Sequence, residues 1–189
     1  MRLIVIFVAC LSSTALAGIS QWYDGDGDGS LWLSDSVVKP YADLSGQTLW
    51  WADLPYANLH HSNLVLTNLS YANLYAANLK VSDLSYAILF GSDLESSFLA
   101  FSTLHGADLR STNINDANLF NVDITDADMT GMQNWETAQW MAARYNDNTV
   151  FPEGMDPNNY AMFYMEIPSP PVMLMFLMGV LYQRPWTRS

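Results

Sequence analysis

Residues 42–81 read ADLSG-QTLWW-ADLPY-ANLHH-SNLVL-TNLSY-ANLYA-ANLKV, and the same five-residue pattern continues to residue 131. A large apolar residue returns at every fifth position from Leu44 to Met129, eighteen times without an insertion. The residue just before it is Asp or Asn in fourteen of the eighteen repeats, and the residue two places before it is usually small. A fixed short period predicts a solenoid, in which each unit buries its apolar face against neighbouring units.

The order small, polar, large apolar places the small residue and the apolar residue on the same face of an extended segment. No second apolar residue follows two places later in most repeats, so the chain is expected to turn after each apolar centre. Asp and Asn favour such turns because their side chains hydrogen-bond to nearby backbone. An α-helix is excluded, because a period of five drifts by about 140° per repeat at 3.6 residues per turn.

Triplets such as Ala52-Asp53-Leu54, Ala57-Asn58-Leu59 and Ala107-Asp108-Leu109 resemble the pentapeptide-repeat family, whose pattern is A(D/N)LXX. The resemblance implies an all-β solenoid, a right-handed quadrilateral β-helix with four repeats in each coil. Residues twenty apart would then lie on the same side, with the apolar centres pointing to the axis. On this interpretation residues 42–131 form about four and a half coils, and the flanking segments cap the two open ends.

The N-terminal residues 1–17 have the pattern of a secretory signal peptide. Arg2 provides the short basic start, residues 3–11 the apolar run, and Ala15-Leu16-Ala17 a small-x-small cleavage site. Cys10 is the only cysteine. Lipid attachment at Cys10 and a short buried strand are the alternative interpretations of this segment. A signal peptide or a lipid-attached cysteine predicts an exported protein of the cell envelope, surface or extracellular space.

Residues 18–41 form an acidic, glycine-rich segment that we expect to include the N-terminal cap. The run from Asp24 to Asp35 resembles an EF-hand or dockerin-type calcium loop, with alternate carboxylates and a glycine at the sharp turn. Calcium is therefore a possible cofactor, and no other cofactor is predicted. A flexible acidic linker is the alternative. The candidate ligands are Asp24, Asp26, Asp28, Ser30 and Asp35.

Residues 132–160 are predicted to form a C-terminal cap, with a short helix from Asn134 to about Tyr145. The run at residues 143–157 resembles a closing segment that follows bacterial pentapeptide arrays. Residues 161–189 combine a proline-rich linker, an apolar run at residues 172–182 and a basic end, which resembles a PEP-CTERM-type sorting tail. The apolar run is shorter than the roughly 20 residues that span a bilayer, so a transient membrane association is expected. The alternatives are a helix that docks on the solenoid and a disordered end.

Outward residues whose numbers differ by twenty are expected to lie on the same side of the solenoid. Grouped in this way, several aromatic side chains lie near its N-terminal end. This cluster is a candidate contact surface. The alternative is that the rings stack on one another and stiffen the solenoid. The cluster, called the aromatic face below, comprises Trp50, Trp51, Tyr56, Tyr71, Tyr75 and Phe90.

The formal net charge is −12, and no basic patch is present, so direct nucleic-acid binding is not expected. The histidines His60, His61 and His105 have no cysteine partner, and no hydrolase motif occurs, so an enzyme is not predicted. The leading interpretation is an exported structural or binding protein. Its partner would be an envelope protein or an exopolysaccharide, and a homodimer is possible. The alternative is an acidic DNA mimic that inhibits a nucleic-acid enzyme.

Overall fold

The computed structural model describes residues 31–32 and 39–167. Parallel backbone bridges join residues twenty apart along the repeat region, beginning with Asp43 to Asn63 and Thr48 to Asn68. Each coil of twenty residues contains four bridge positions, so the solenoid has four sides. The described strands are two residues long: Leu31–Trp32 (β1), Ala52–Asp53 (β2), Arg144–Tyr145 (β3) and Phe163–Tyr164 (β4).

The four sides are named here by their bridge residues, and each side includes the corner that follows it. Side 1 contains Asp43, Asn63, Asp83, Thr103, Asp123 and Arg144. Side 2 contains Thr48, Asn68, Ile88, Asp108, Asp128 and Val150. Side 3 contains Asp53, Asn73, Asp93, Asn113 and Gln133. Side 4 contains Asn58, Asn78, Phe98, Asn118 and Gln139.

The core is the column of apolar centres. From Leu44 to Met129, every centre has a relative exposure of 4% or less. Small side chains such as Ala77 and Ala87 fill the space beside them and are fully buried. Each buried Leu contributes roughly 1.5–3 kcal/mol relative to an exposed one. The predicted dry column is therefore confirmed.

A tight turn follows each centre. The carbonyl of Leu49 accepts a hydrogen bond from the amide of Ala52 at 3.2 Å, and Trp51 between them has a φ of 58°. This is the pattern of a type II turn, which needs a positive φ at its third position. The side chain before the centre supports the turn, as where Asn63 Oδ1 accepts from the amide of Val65 at 3.2 Å. The prediction that Asp and Asn serve the turns is confirmed.

The predicted helix from Asn134 to Tyr145 is wrong. These residues form turns and bridges instead, and the coil continues beyond residue 131 with Asn118 paired to Gln139 and Asp128 paired to Val150. The number of residues between bridge partners increases from twenty to 21 and then 22. The irregular coil therefore contains one or two more residues than a regular coil and still keeps its bridges. The unpaired edge of the last repeat coil offers hydrogen bonds that outweigh the local helical preference of this segment.

The C-terminal end is closed by side chains from this irregular coil. Trp140 is 2% exposed, and its Nε1 donates to the carbonyl of Trp135 at 2.9 Å. Met155 is also buried. A 3-10 helix at Pro157–Tyr160 follows, and β4 then pairs in parallel with β3. Side 1 thus has seven levels, or roughly 29 Å at about 4.8 Å per level.

At the N-terminal end, β1 pairs in parallel with β2, with Leu31 opposite Ala52. The backbone of residues 31–32 therefore lies beside the first coil, where the sequence predicted an N-terminal cap. Within the described residues, no helix is long and apolar enough to cross a membrane.

Candidate binding surface

The predicted aromatic face divides into two rows on neighbouring corners. One row contains Trp51, Tyr71 and Phe90 at the end of side 2, beside Trp50. Trp51 and Tyr71 stack with their centroids 4.7 Å apart and an interplanar angle of 15°. Tyr71 meets Phe90 edge to face at 5.3 Å. The coil repeat brings these rings together, because each lies one level above the previous one.

The second row contains Tyr56 and Tyr75 on the corner of side 3. Their rings meet edge to face, with centroids 5.5 Å apart. Tyr56 is 70% exposed, whereas Tyr75 is half-buried. The structure therefore brings the six predicted residues onto adjoining corners of the first coils, but it does not merge them into one flat plane.

Ring stacking uses much of the aromatic surface in the first row. The faces of Trp51 and Tyr71 are turned toward each other along the solenoid, and the guanidinium of Arg110 lies 5.6 Å from the centre of the Phe90 ring. Trp50 is 45% exposed and forms no aromatic pair among the described residues. Trp50, beside this row, is thus the ring whose faces are not used in stacking with another described ring.

Arg110 also organises the charge at the far end of this row. Its Nη2 lies 2.7 Å from Asp108 Oδ2, and its Nε lies 3.8 Å from Asp128 Oδ2 on the next level. The hydrogen bond from Arg110 holds the pKa of Asp108 below its ordinary value, against a smaller opposing effect of burial. Arg110 therefore offsets the repulsion between two carboxylates stacked on side 2.

The histidines occupy two separate places. His61 stacks on Tyr41 at 5.0 Å, and the neighbouring His60 meets the same ring edge to face at 5.4 Å. His105 lies on side 1, where its ring nitrogens are 2.9 Å from the Tyr86 hydroxyl and 2.9 Å from Thr125 Oγ1. These contacts link successive coils.

The candidate calcium ligands Asp24, Asp26, Asp28, Ser30 and Asp35 lie outside the described residues. So do the predicted signal peptide and most of the predicted sorting tail. Within residues 31–32 and 39–167, no group of three or more His, Cys, Asp or Glu side chains could hold a metal ion.

Sequence reasoning missed the composition of side 4. Phe98, Phe101 and Met141 are all well exposed there, and no carboxylate accompanies them. The signal was present in the sequence, since adding twenty to each position also sorts the charged residues by side.

The chain is similar to known proteins that contain five-residue repeats. A family model described as pentapeptide repeats matches residues 42–80 and 87–126 in eight copies. No curated protein sequence matches the chain. A crystal structure of a pentapeptide repeat protein (Rfr23) from the cyanobacterium Cyanothece 51142 is similar at 25% identity and a TM-score of 0.56. The match covers 60% of this chain and 90% of that one.

Two further solved structures share less of the overall shape. A pentapeptide repeat protein from Nostoc Pcc 7120 is 26% identical, with a TM-score of 0.29, over 52% of this chain and 84% of that one. QnrB1, a plasmid-mediated fluoroquinolone resistance protein, is 19% identical, with a TM-score of 0.30, over 74% and 84%. Pentapeptide repeat proteins fold as right-handed quadrilateral β-helices. The four-sided solenoid of this chain is built from pentapeptide repeats.

Proposed function

We propose that this chain is an exported, non-enzymatic structural or binding protein whose right-handed solenoid presents fixed rows of side chains to an envelope protein or an exopolysaccharide. The aromatic face is the proposed contact surface. The proposed export depends on residues 1–17, and transient membrane association on the tail after residue 161. Calcium binding near Asp24 and a homodimer remain part of the proposal.

The observation that supports it is the rigid exposure of Trp50 and Trp51. They are 45% and 50% exposed at a corner whose backbone is held to the next coil, with the amide of Trp51 donating to the carbonyl of Ser70 at 2.9 Å. Little conformational entropy is lost when such preorganised rings bind, which favours affinity. Tryptophan also supplies a large apolar contact area with one polar N–H group.

The stacking geometry gives different roles to Trp50 and Trp51, and substitutions test them separately. Trp51→Ala removes both a contact residue and a ring that stacks on Tyr71, whereas Trp50→Ala removes a ring that stacks on no other described ring. We therefore expect Trp50→Ala to reduce capture from a native envelope extract or by isolated exopolysaccharide, with an unchanged circular dichroism spectrum. Leu66→Ala is the matched control, because Leu66 is 64% exposed on a different side. Equal capture by intact protein and by the Trp50→Ala, Trp51→Ala double variant would exclude the aromatic face.

The acidic DNA mimic is the second candidate. Its support is the recurrence of carboxylates on side 1, at Asp43, Asp83 and Asp123. The two candidates require different cellular locations, because a mimic of DNA must meet its enzyme in the cytoplasm. Fractionation of the native cells distinguishes them: protein found only outside the inner membrane excludes the mimic.

A further inference from the structure

One side of this acidic solenoid carries no carboxylate. Side 4 and its corner comprise residues 39–41, 57–61, 77–81, 97–101, 117–121 and 138–142, and none of these is Asp or Glu. The other three sides all carry acidic residues, although the chain as a whole has a net charge of −12. They include Asp83 and Asp123 on side 1, Asp108 and Asp128 on side 2, and Asp93 and Glu95 on side 3.

The basic residues show the same asymmetry. Four Lys or Arg residues lie in the described part of the chain. Arg110 and Arg144 form ion pairs, with shortest nitrogen–oxygen distances of 2.7 and 3.5 Å. Lys39 and Lys80 are exposed at the corner of side 4 and form no ion pair with any described residue. Two cations are thus available on the one side from which carboxylates are missing.

The same side exposes three large apolar side chains. Phe98 is 47% exposed, Phe101 50% and Met141 61%. Phe101 also meets Phe120 edge to face at 5.3 Å, one level further along. The neighbouring bridge positions carry the uncharged amides of Asn78 and Asn118 rather than aspartates. Large rings and a flexible thioether therefore project from side 4 and its corner, and the bridge residues beside Phe98 are neutral.

We propose that side 4 lies on an anionic lipid surface. Phe98, Phe101 and Met141 enter the headgroup region, while Lys39 and Lys80 contact lipid phosphates. Acidic side 2 faces away, and sides 1 and 3 flank the contact. Exposed apolar residues flanked by lysines are the combination that interfacial membrane contacts use. This contact is separate from the predicted sorting tail and does not depend on the aromatic face.

The size of the side favours lipid over a protein partner. Five level spacings of about 4.8 Å and a width of at most five extended residues give an area of roughly 400 Å². A stable protein interface buries about 800 Å² on each partner. Shallow insertion into a lipid surface has no such minimum, because binding scales with the apolar area and the cations supplied.

The test measures co-sedimentation of the full chain with two kinds of vesicle at about 0.15 M salt, where long-range repulsion from the other sides is screened. One kind contains phosphatidylcholine alone, and the other adds phosphatidylglycerol. We expect binding only to the anionic vesicles. The double variant Lys39→Gln, Lys80→Gln is expected to weaken partitioning by roughly fivefold per lysine, and Phe98→Ser, Phe101→Ser to weaken it further.

Two matched control variants change exposed apolar surface or net charge on sides other than side 4. Leu66→Ser removes an apolar side chain that is 64% exposed on side 1, and Thr48→Asp makes the charge more negative at an exposed position on side 2. Both controls should bind anionic vesicles as the intact chain does. The lysine variants remove no packing, so they keep the test valid even if the phenylalanine variant unfolds.

Three results would overturn the proposal. The first is an intact chain that does not bind anionic vesicles. The second is binding that survives in both side 4 variants but is lost when residues 168–189 are deleted, because the tail would then be the lipid-binding element. The third is a concentration-dependent dimer, measured by sedimentation velocity, that the phenylalanine variant abolishes while vesicle binding is unchanged.

Discussion

Replacing Gly91 by alanine should destabilise the solenoid because of one tyrosine ring. Gly91 has a φ of 65°, and a Cβ built there would lie 2.8 Å from both Cδ1 and Cε1 of Tyr71. That ring is held between Trp51 at 4.7 Å and Phe90 at 5.3 Å. It must move to admit the methyl group, and its movement disrupts both aromatic pairs.

The loss in free energy of unfolding expected for Gly91→Ala has two parts, and a control variant separates them. An alanine in the left-handed region costs about 1–2 kcal/mol. The loss of two aromatic pairs adds about 0.5–1.5 kcal/mol for each pair. Gly46 has the same φ of 65°, and no atom of the described residues lies within 4 Å of a Cβ built there. We therefore expect Gly91→Ala to cost roughly 2–5 kcal/mol and Gly46→Ala only the backbone part, about 1–2 kcal/mol.

Urea unfolding followed by circular dichroism measures both free energies, and an unchanged m-value confirms that the unfolding transition is comparable. The decisive measurement repeats Gly91→Ala in a Tyr71→Ala background. With the ring removed, the cost should fall to that of Gly46→Ala, which gives a coupling free energy of about 1–3 kcal/mol. The reasoning would be refuted if Gly91→Ala and Gly46→Ala lowered the free energy of unfolding equally when Tyr71 is present. A coupling free energy near zero between Gly91→Ala and Tyr71→Ala would refute it as well.

The remaining predictions concern the core, the charges and the proposed metal. Ser97 is fully buried, and its hydroxyl has no hydrogen-bond partner among the described residues, so Ser97→Ala should raise the free energy of unfolding by roughly 1 kcal/mol. Ser82→Ala should lower it, because that buried hydroxyl donates to a backbone carbonyl at 2.6 Å; the opposite signs would contradict this account of the core. Arg110→Gln should destabilise the protein near neutral pH. The pKa of Asp108 is lowered in the folded state, so the ion pair with Arg110 stabilises the protein above the pKa of Asp108 in the unfolded chain. This stabilisation is lost as the pH falls and Asp108 becomes protonated. The urea midpoints of the variant and the intact protein should therefore converge below about pH 4. A midpoint difference that persists in acid would exclude this pair as its source. Calorimetric titration with calcium should give a signal that Asp24→Ala abolishes, and a flat trace from the intact protein would exclude the metal.

The five-residue pattern was sufficient to predict the solenoid, because every repeat supplies the same three requirements. A centre such as Leu64 fills the axis, a small residue such as Ala72 lets the coil close around it, and Asn63 bonds to the turn that follows. These requirements are local or involve neighbouring repeats only. A pattern repeated eighteen times therefore determines the register without knowledge of distant contacts.

The candidate surfaces were only partly predictable. The positions of Trp51, Tyr71 and Phe90 on one corner follow from the period of twenty that the family resemblance supplied. Their ring geometry does not, because stacked and edge-to-face pairs depend on side-chain rotamers chosen between levels. The contact of Arg110 with Asp108, Asp128 and the Phe90 ring likewise needed coordinates, since several carboxylates lie within reach of a guanidinium.

The sequence by itself determined the repeated turn and the buried column, because every fifth position carries the same kind of side chain. The side on which each outward residue lies also required the four repeats per coil that the family resemblance supplied. Tertiary structure alone decided how the repeat ends. Residues 134–145 have a locally helical pattern, yet they follow the exposed edge of the previous coil and pair with it. Backbone groups at that edge would otherwise lose their hydrogen bonds, and this requirement comes from the neighbouring coil rather than from the segment itself.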